Sequence, residues 1–79
     1  MSIETLVGDK LYRQGSSGPV VQAVQLGLRS IGYKLSGTGN FYTATNTAVR
    51  DFQRVAGLGV DGVVGKNTAR AIDVAVSKI

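Results

Sequence analysis

Residues 38–45 read Thr38-Gly39-Asn40-Phe41-Tyr42-Thr43-Ala44-Thr45, and twenty-three positions later residues 61–68 read Asp61-Gly62-Val63-Val64-Gly65-Lys66-Asn67-Thr68. Gly39, Thr45 and Ala48 recur identically as Gly62, Thr68 and Ala71, and Ala48-Val49 aligns with Ala71-Ile72. Each copy is a turn that runs into apolar residues at helical spacing, which marks the duplication of a turn-helix unit. Two copies are too few to stack as a solenoid, so the repeat belongs inside one small core.

Working outward, Thr45, Ala48, Val49, Phe52 and Ala56 define a helix from about Thr43 to Ala56, with Thr43 as N-cap and Gly57 as terminator. Thr68, Ala71, Ile72, Ala75 and Ile79 define another, opening near Lys66-Asn67 and running to the C-terminus. Upstream, Gly15-Ser16-Ser17-Gly18 precedes Pro19, which suits a first helical position because its missing N–H has no partner there; Ser17 or Gly18 supplies the cap. Val21, Val24, Leu28 and Ile31 then form one apolar stripe before Gly32, giving a helix over Gly18 to Ile31. Val20-Val21 and Val63-Val64 are too short and too glycine-flanked for a sheet. The expected fold is all-α: a small three-helix bundle with two repeated turn-helix units and glycine-rich loops. Residues 1–10 read as an N-terminal lead and residues 11–79 as the domain.

Composition narrows the chemistry. Seventy-nine residues, 43% apolar and 18% charged, make a single small domain. The absence of Cys and His removes disulfides, thiolate nucleophiles, imidazole bases and the usual zinc ligand sets. Glu4, Asp9, Asp51, Asp61 and Asp73 are the only carboxylates. Asp61 reads as a turn former before Gly62 and the rest as solvated charge, so neither a catalytic pair nor a metal site is expected. Gly57-Leu58-Gly59-Val60-Asp61-Gly62 fits a dinucleotide fingerprint in letters only: a helix rather than a strand precedes it, and no acidic residue follows at the required distance. No cofactor is expected. Met1 to Lys10 has neither a basic start nor an apolar segment, so no signal peptide or membrane span is read here. Nine Lys or Arg against five Asp or Glu give a net charge of +4, which favours an anionic partner without naming it.

The ordered motifs resemble the three-helix peptidoglycan-binding domain attached to cell-wall hydrolases and phage endolysins. Leu11, Gly15-Ser16-Ser17-Gly18, Val21, Val24-Gln25, Leu28 and Ile31-Gly32-Tyr33 follow the opening of that family. Thr38-Gly39-Asn40-Phe41, Thr45, Ala48-Val49, Phe52-Gln53, Gly57-Leu58, Asp61-Gly62, Gly65 and Thr68 continue it, so the resemblance spans Leu11 to Ile72. Two positions depart from it. Thr38 stands where Asp is usual, exchanging a carboxylate that would tighten the turn for a hydroxyl, and Tyr42 stands where Gly or Asp is usual. The resemblance implies a monomeric, non-catalytic binder of bacterial peptidoglycan. It further implies action in the cell wall or periplasm, targeting an attached or partner hydrolase such as an endolysin, amidase or muramidase, with no nucleic-acid or membrane partner.

For a site, Asn40, Tyr42 and Tyr33 are the leading residues, because loops commonly display amphipathic and amide groups of this kind. A ring can carry the face of a sugar or an alanine methyl while amide and hydroxyl groups fix direction. Phe41 is either a further contact or a plug beneath the loop, whereas Phe52, in mid-stripe, belongs to the core. Arg50 and Arg54 offer forked hydrogen bonds to carboxylates of the muramyl peptide, or serve only as solvated cations, with Arg54 near Asp51. Glycan, stem peptide and cross-link all remain readings of that site. The alternative is a small basic three-helix DNA-binding or protein-interaction module, with Lys66, Arg70 and Lys78 on the last helix; Asp73 interrupts that cationic run.

Overall fold

The computed structural model describes residues 2–79. Its helices are α1 (Ile3–Val7), α2 (Pro19–Ser30), α3 (Thr43–Val55) and α4 (Lys66–Ser77). The last three are the expected ones, ending within a residue or two of the spacing-based limits. Pro19 begins α2 behind Gly18, Gly65 caps α4 and Tyr42, not Thr43, stands at the N-cap of α3. No strand forms among the described residues; the extended pieces meet only as isolated bridges, Tyr12 with Val64 and Ser17 with Asn40.

Three helices were expected and four are present among the described residues. Five residues cannot hold a helix alone, so α1 depends on tertiary contacts. Ser2 caps it through its hydroxyl, which accepts from the Thr5 N–H at 3.1 Å. The Asp73 carboxylate on α4 accepts from the N–H groups of Ile3 and Glu4, both at 2.9 Å. Glu4 in turn pairs with Arg70 at 2.8 Å. Asp73 and Glu4, read from sequence as solvated charge, therefore fasten the segment assigned as a lead onto the last helix.

The core is built from one face of each helix: Ile3 and Val7; Val21, Val24 and Leu28; Ala48, Val49 and Phe52; Ala69 and Ile72. Phe41 and Val64, one from each turn, complete it. Gly27 makes the close approach of α1 and α4 to α2 possible, since a Cβ there would stand 2.6 Å from Ile3 Cδ1 and 3.1 Å from Ile72 Cγ2. Ala56 and Ile79, counted in the apolar stripes, are exposed because the helices end before their faces can reach the core.

Each turn is clasped by a buried glutamine from the preceding helix. In the first, Gln25 Oε1 accepts from Gly39 N at 2.8 Å, while Nε2 donates to the Asn40 carbonyl at 2.8 Å and to Thr45 Oγ1 at 3.0 Å. In the second, Gln53 Oε1 accepts from the N–H groups of Asp61 and Gly62 at 3.1 and 3.0 Å. Its Nε2 donates to Asp61 Oδ1, the Val63 carbonyl and Thr68 Oγ1 at 2.9 to 3.2 Å. Gly39 and Gly62, at φ of 81° and 73°, hold the left-handed conformation these turns require. No buried side-chain nitrogen or oxygen lacks a partner among the described residues, as burial of an amide in a small core demands.

Candidate functional site

The loop after α2 and the first turn run along the N-terminal half of α3, leaving two adjoining grooves. One, of about 240 Å³, is lined by Gln25, Lys34, Leu35, Ser36, Thr38, Asn40, Tyr42, Ala44 and Thr45. The other, of about 450 Å³, is lined by Tyr33, Lys34, Leu35, Ala44, Thr47, Ala48 and Asp51. Lys34, Leu35 and Ala44 line both and so mark their junction. Hydroxyl and amide groups border an apolar floor here, the mixture that a polar ligand carrying small apolar groups needs.

Tyr42 leaves 64% of its surface open to solvent at this mouth, and among the described residues its hydroxyl has no hydrogen-bond partner. As N-cap it makes no side-chain bond to α3, so the positive end of that helix opens beside the first groove. Asn40 is exposed, and the structure uses its backbone rather than its side chain: its carbonyl accepts from Gln25, and its N–H donates to Thr38 Oγ1 at 3.1 Å. That single bond is what the hydroxyl of Thr38 supplies in place of a carboxylate. In the second turn Asp61 Oδ1 accepts both from Val63 N at 2.9 Å and from Gln53. The Val63 N–H, followed by the Gln53 amide, holds the Asp61 carboxyl below the usual carboxylate range.

Tyr33 is half-buried in the second groove, and its hydroxyl donates to Asp51 Oδ2 at 2.8 Å. Burial, then the neighbouring carboxylate, pushes its phenol up to about 12, so it acts as a neutral donor. Asp51 is held below the usual range by the Tyr33 hydroxyl and then by Arg54, with which it pairs. Arg54 therefore sits at the rim through Asp51. Arg50 lies elsewhere: a Cβ on Gly62 would fall 3.5 Å from its Cγ, which places it beside the second turn.

Phe41, counted with the ligand-facing residues on sequence, is fully buried. Its backbone pairs with the segment before α2, accepting from Gly15 N and donating to the Ser16 carbonyl at 2.8 and 2.9 Å. Its counterpart in the repeat, Val64, is equally buried and exchanges both of its backbone hydrogen bonds with Tyr12, in the same upstream segment. The position is a core position in both copies, and of its two readings the plug is the one the structure contains. The fold thus brings together Asn40, Tyr42 and Tyr33, with Arg54 at the edge, and separates Phe41 and Arg50 from them.

Sequence reasoning missed Lys34 and Leu35 as lining residues because the loop after α2 has no periodicity to orient its side chains, and Thr47 because it lies on α3 outside that helix's apolar stripe. It also missed a larger groove, about 620 Å³ between the C-terminal half of α3 and α4, lined by Phe52, Val55, Leu58, Ala71, Val74 and Lys78 among others. That surface is predominantly apolar and offers few groups for orienting a sugar or peptide.

The family model described as "Putative peptidoglycan binding domain" matches residues 17–72, and the chain belongs to that family. The N-acetylmuramoyl-L-alanine amidase CwlL of Bacillus licheniformis is 34% identical over 65 residues, covering 78% of this chain and 18% of the amidase. A peptidoglycan-binding protein from Clostridioides difficile, solved in complex with glutamine hydroxamate, is 34% identical with a TM-score of 0.83, over 85% of this chain and 42% of its own. The SleB N-terminal domain is 33% identical with a TM-score of 0.83, over 87% of this chain and 96% of its own. The chain spans less than a fifth of the curated amidase it matches.

Proposed function

We propose that this chain is a non-catalytic module that binds bacterial peptidoglycan in the grooves beside the first turn. There it holds an attached or partner cell-wall hydrolase, an amidase, muramidase or endolysin, on its substrate. The observation that carries the reading is the open groove mouth at Asn40 and Tyr42, whose side chains the turn does not use, in a member of a wall-binding family. Tyr42 offers a ring face for a pyranose or a methyl group, and Asn40 with Ser36 and Thr38 offers direction. Tethering a hydrolase to such a module raises the effective concentration of its substrate without any new catalytic group. Action is in the cell wall or periplasm, and the module works as a monomer.

The nucleic-acid alternative is weakened by the surface of α4. Lys66 lies 3.6 Å from Asp9 and Arg70 lies 2.8 Å from Glu4, so two of the three cations that would face a phosphate backbone already have carboxylate partners.

The test is co-sedimentation of the pure chain with insoluble peptidoglycan stripped of secondary polymers, read alongside release of reducing sugars and free amines. The expected result is binding without release, weakened only in part as salt rises, because contacts in a groove are screened less than a surface charge. Release of either product would refute the non-catalytic reading. Complete loss of binding at moderate salt would make the association simple electrostatic adhesion.

A further inference from the structure

Lys34 lies at the junction of the two grooves and, among the described residues, is the only cation lining either of them. Among the described residues it has no carboxylate partner. The only acid lining the grooves, Asp51, is already engaged by the Tyr33 hydroxyl and the Arg54 guanidinium. A cation without a carboxylate partner among the described residues therefore lines the same grooves as the apolar Leu35, Ala44 and Ala48. A neutral N-acetylated sugar would leave that ammonium unanswered. A short peptide with small methyl side chains and a free carboxylate would match both the floor and the charge.

We infer that Lys34 reads a free carboxylate of the peptidoglycan stem peptide, with the peptide's methyl groups against Leu35 and Ala44. This inference rests on the grooves beside the first turn being the peptidoglycan site. It moves the anion contact away from Arg54, which is committed to Asp51, and from Arg50, which stands beside the second turn. A phosphate from a secondary wall polymer shares the anionic chemistry, so the probe must be free of such polymers.

The experiment compares binding to stripped peptidoglycan before and after carbodiimide amidation of its carboxyl groups, for the parent chain and for Lys34→Gln, Lys34→Arg, Lys10→Gln and Tyr42→Ala. Lys10 is exposed and lines neither groove, so Lys10→Gln removes the same charge elsewhere. Amidation should weaken the parent about three- to tenfold, the size of a partly screened charge pair. Lys34→Gln should show the same loss on untreated material and no further loss on amidated material. Lys34→Arg and Lys10→Gln should stay within about twofold of the parent, since a change below roughly 0.4 kcal/mol is no more than a weak surface pair.

Binding by Lys34→Gln equal to the parent would overturn the inference. So would a parent indifferent to amidation, or a Lys34→Gln variant that remains fully sensitive to it. Equal losses in Lys10→Gln and Lys34→Gln would reduce the effect to net charge and overturn it as well. In each of those cases, weakened binding by Tyr42→Ala would leave the peptidoglycan reading of the groove standing. Failure of the parent to bind untreated material would overturn both. Restoration of parent binding only when secondary polymers are left in place would assign the anion to phosphate and refute the stem-peptide carboxylate.

Discussion

The first and second turns are built on one plan, yet they meet solvent differently. Gln25 and Gln53 reach into them from the preceding helices, Thr45 and Thr68 receive the glutamine amides, and Phe41 and Val64 enter the core at matching places. Even the surface recess recurs: beside the second turn lies one of about 300 Å³, lined by Asp61, Val63, Gly65, Asn67 and Thr68, with Leu11 and Lys66. At the second turn the counterpart of Tyr42 is Gly65, and Leu11 lies over it, its Cδ2 3.0 Å from where a Cβ would be. At the first turn no described residue closes the recess in that way, and Tyr42 stands open beside it. The comparison separates what the turn needs from what it displays: the glutamine, glycine and threonine are structural in both copies, whereas Asn40 and Tyr42 are additions to one.

The comparison breaks most severely at the paired core positions. Phe41→Ala should cost about 3–5 kcal/mol in denaturant unfolding, a large share of a small domain's stability, because it opens a cavity where the turn meets the core. A loss confined to binding, with stability unchanged, would return Phe41 to the ligand surface. The clasps come next. Gln53→Leu should cost about 2–4 kcal/mol and Gln25→Leu about 1–3 kcal/mol, since Gln53 serves two turn N–H groups where Gln25 serves one. The reverse order would mean that these hydrogen bonds do not set the stability of the turns.

A smaller effect separates the turns by pH. The Asp61 carboxyl is lowered in the folded chain, so its contribution is present above the ordinary carboxylate range and is lost as pH falls through about 4 and below. Thr38 contributes nothing of this kind. Asp61→Thr, which makes the second turn resemble the first, should cost about 1 kcal/mol at neutral pH and make the acid limb of the stability curve shallower. Asp51 and Glu4 are lowered as well, so the limb should flatten without disappearing.

Much of this was legible in the chain. The apolar stripes located α2, α3 and α4, and the repeat located both turns, because each depends on local spacing. The first helix was not legible: five residues carry less than two turns of periodicity, and its fastening comes from Asp73, some seventy positions away. Gln25 and Gln53 were visible as family motif residues, but nothing in their spacing showed that their amides turn inward. The site divided along the same line. Asn40 and Tyr42 stood out because the second copy lacks them, while Phe41 stayed open between contact and plug because its neighbour Tyr42 is exposed and nothing local shows which way its ring turns; its burial selects the plug. Lys34, from the loop after α2, and Thr47, from α3, come together only where that loop packs against that helix.

The most direct test joins stability and binding in one variant. In Asn40→Ala/Tyr42→Ala the glutamine clasp and Phe41 are untouched, and Tyr42 caps α3 without a side-chain hydrogen bond, so the unfolding midpoint should correspond to a change of about 0.5 kcal/mol or less. Association with stripped peptidoglycan should fall severalfold, since exposed contact groups have been removed and the core has not. A double variant that remains folded and binds as tightly as the parent would contradict the assignment of the site to the first turn.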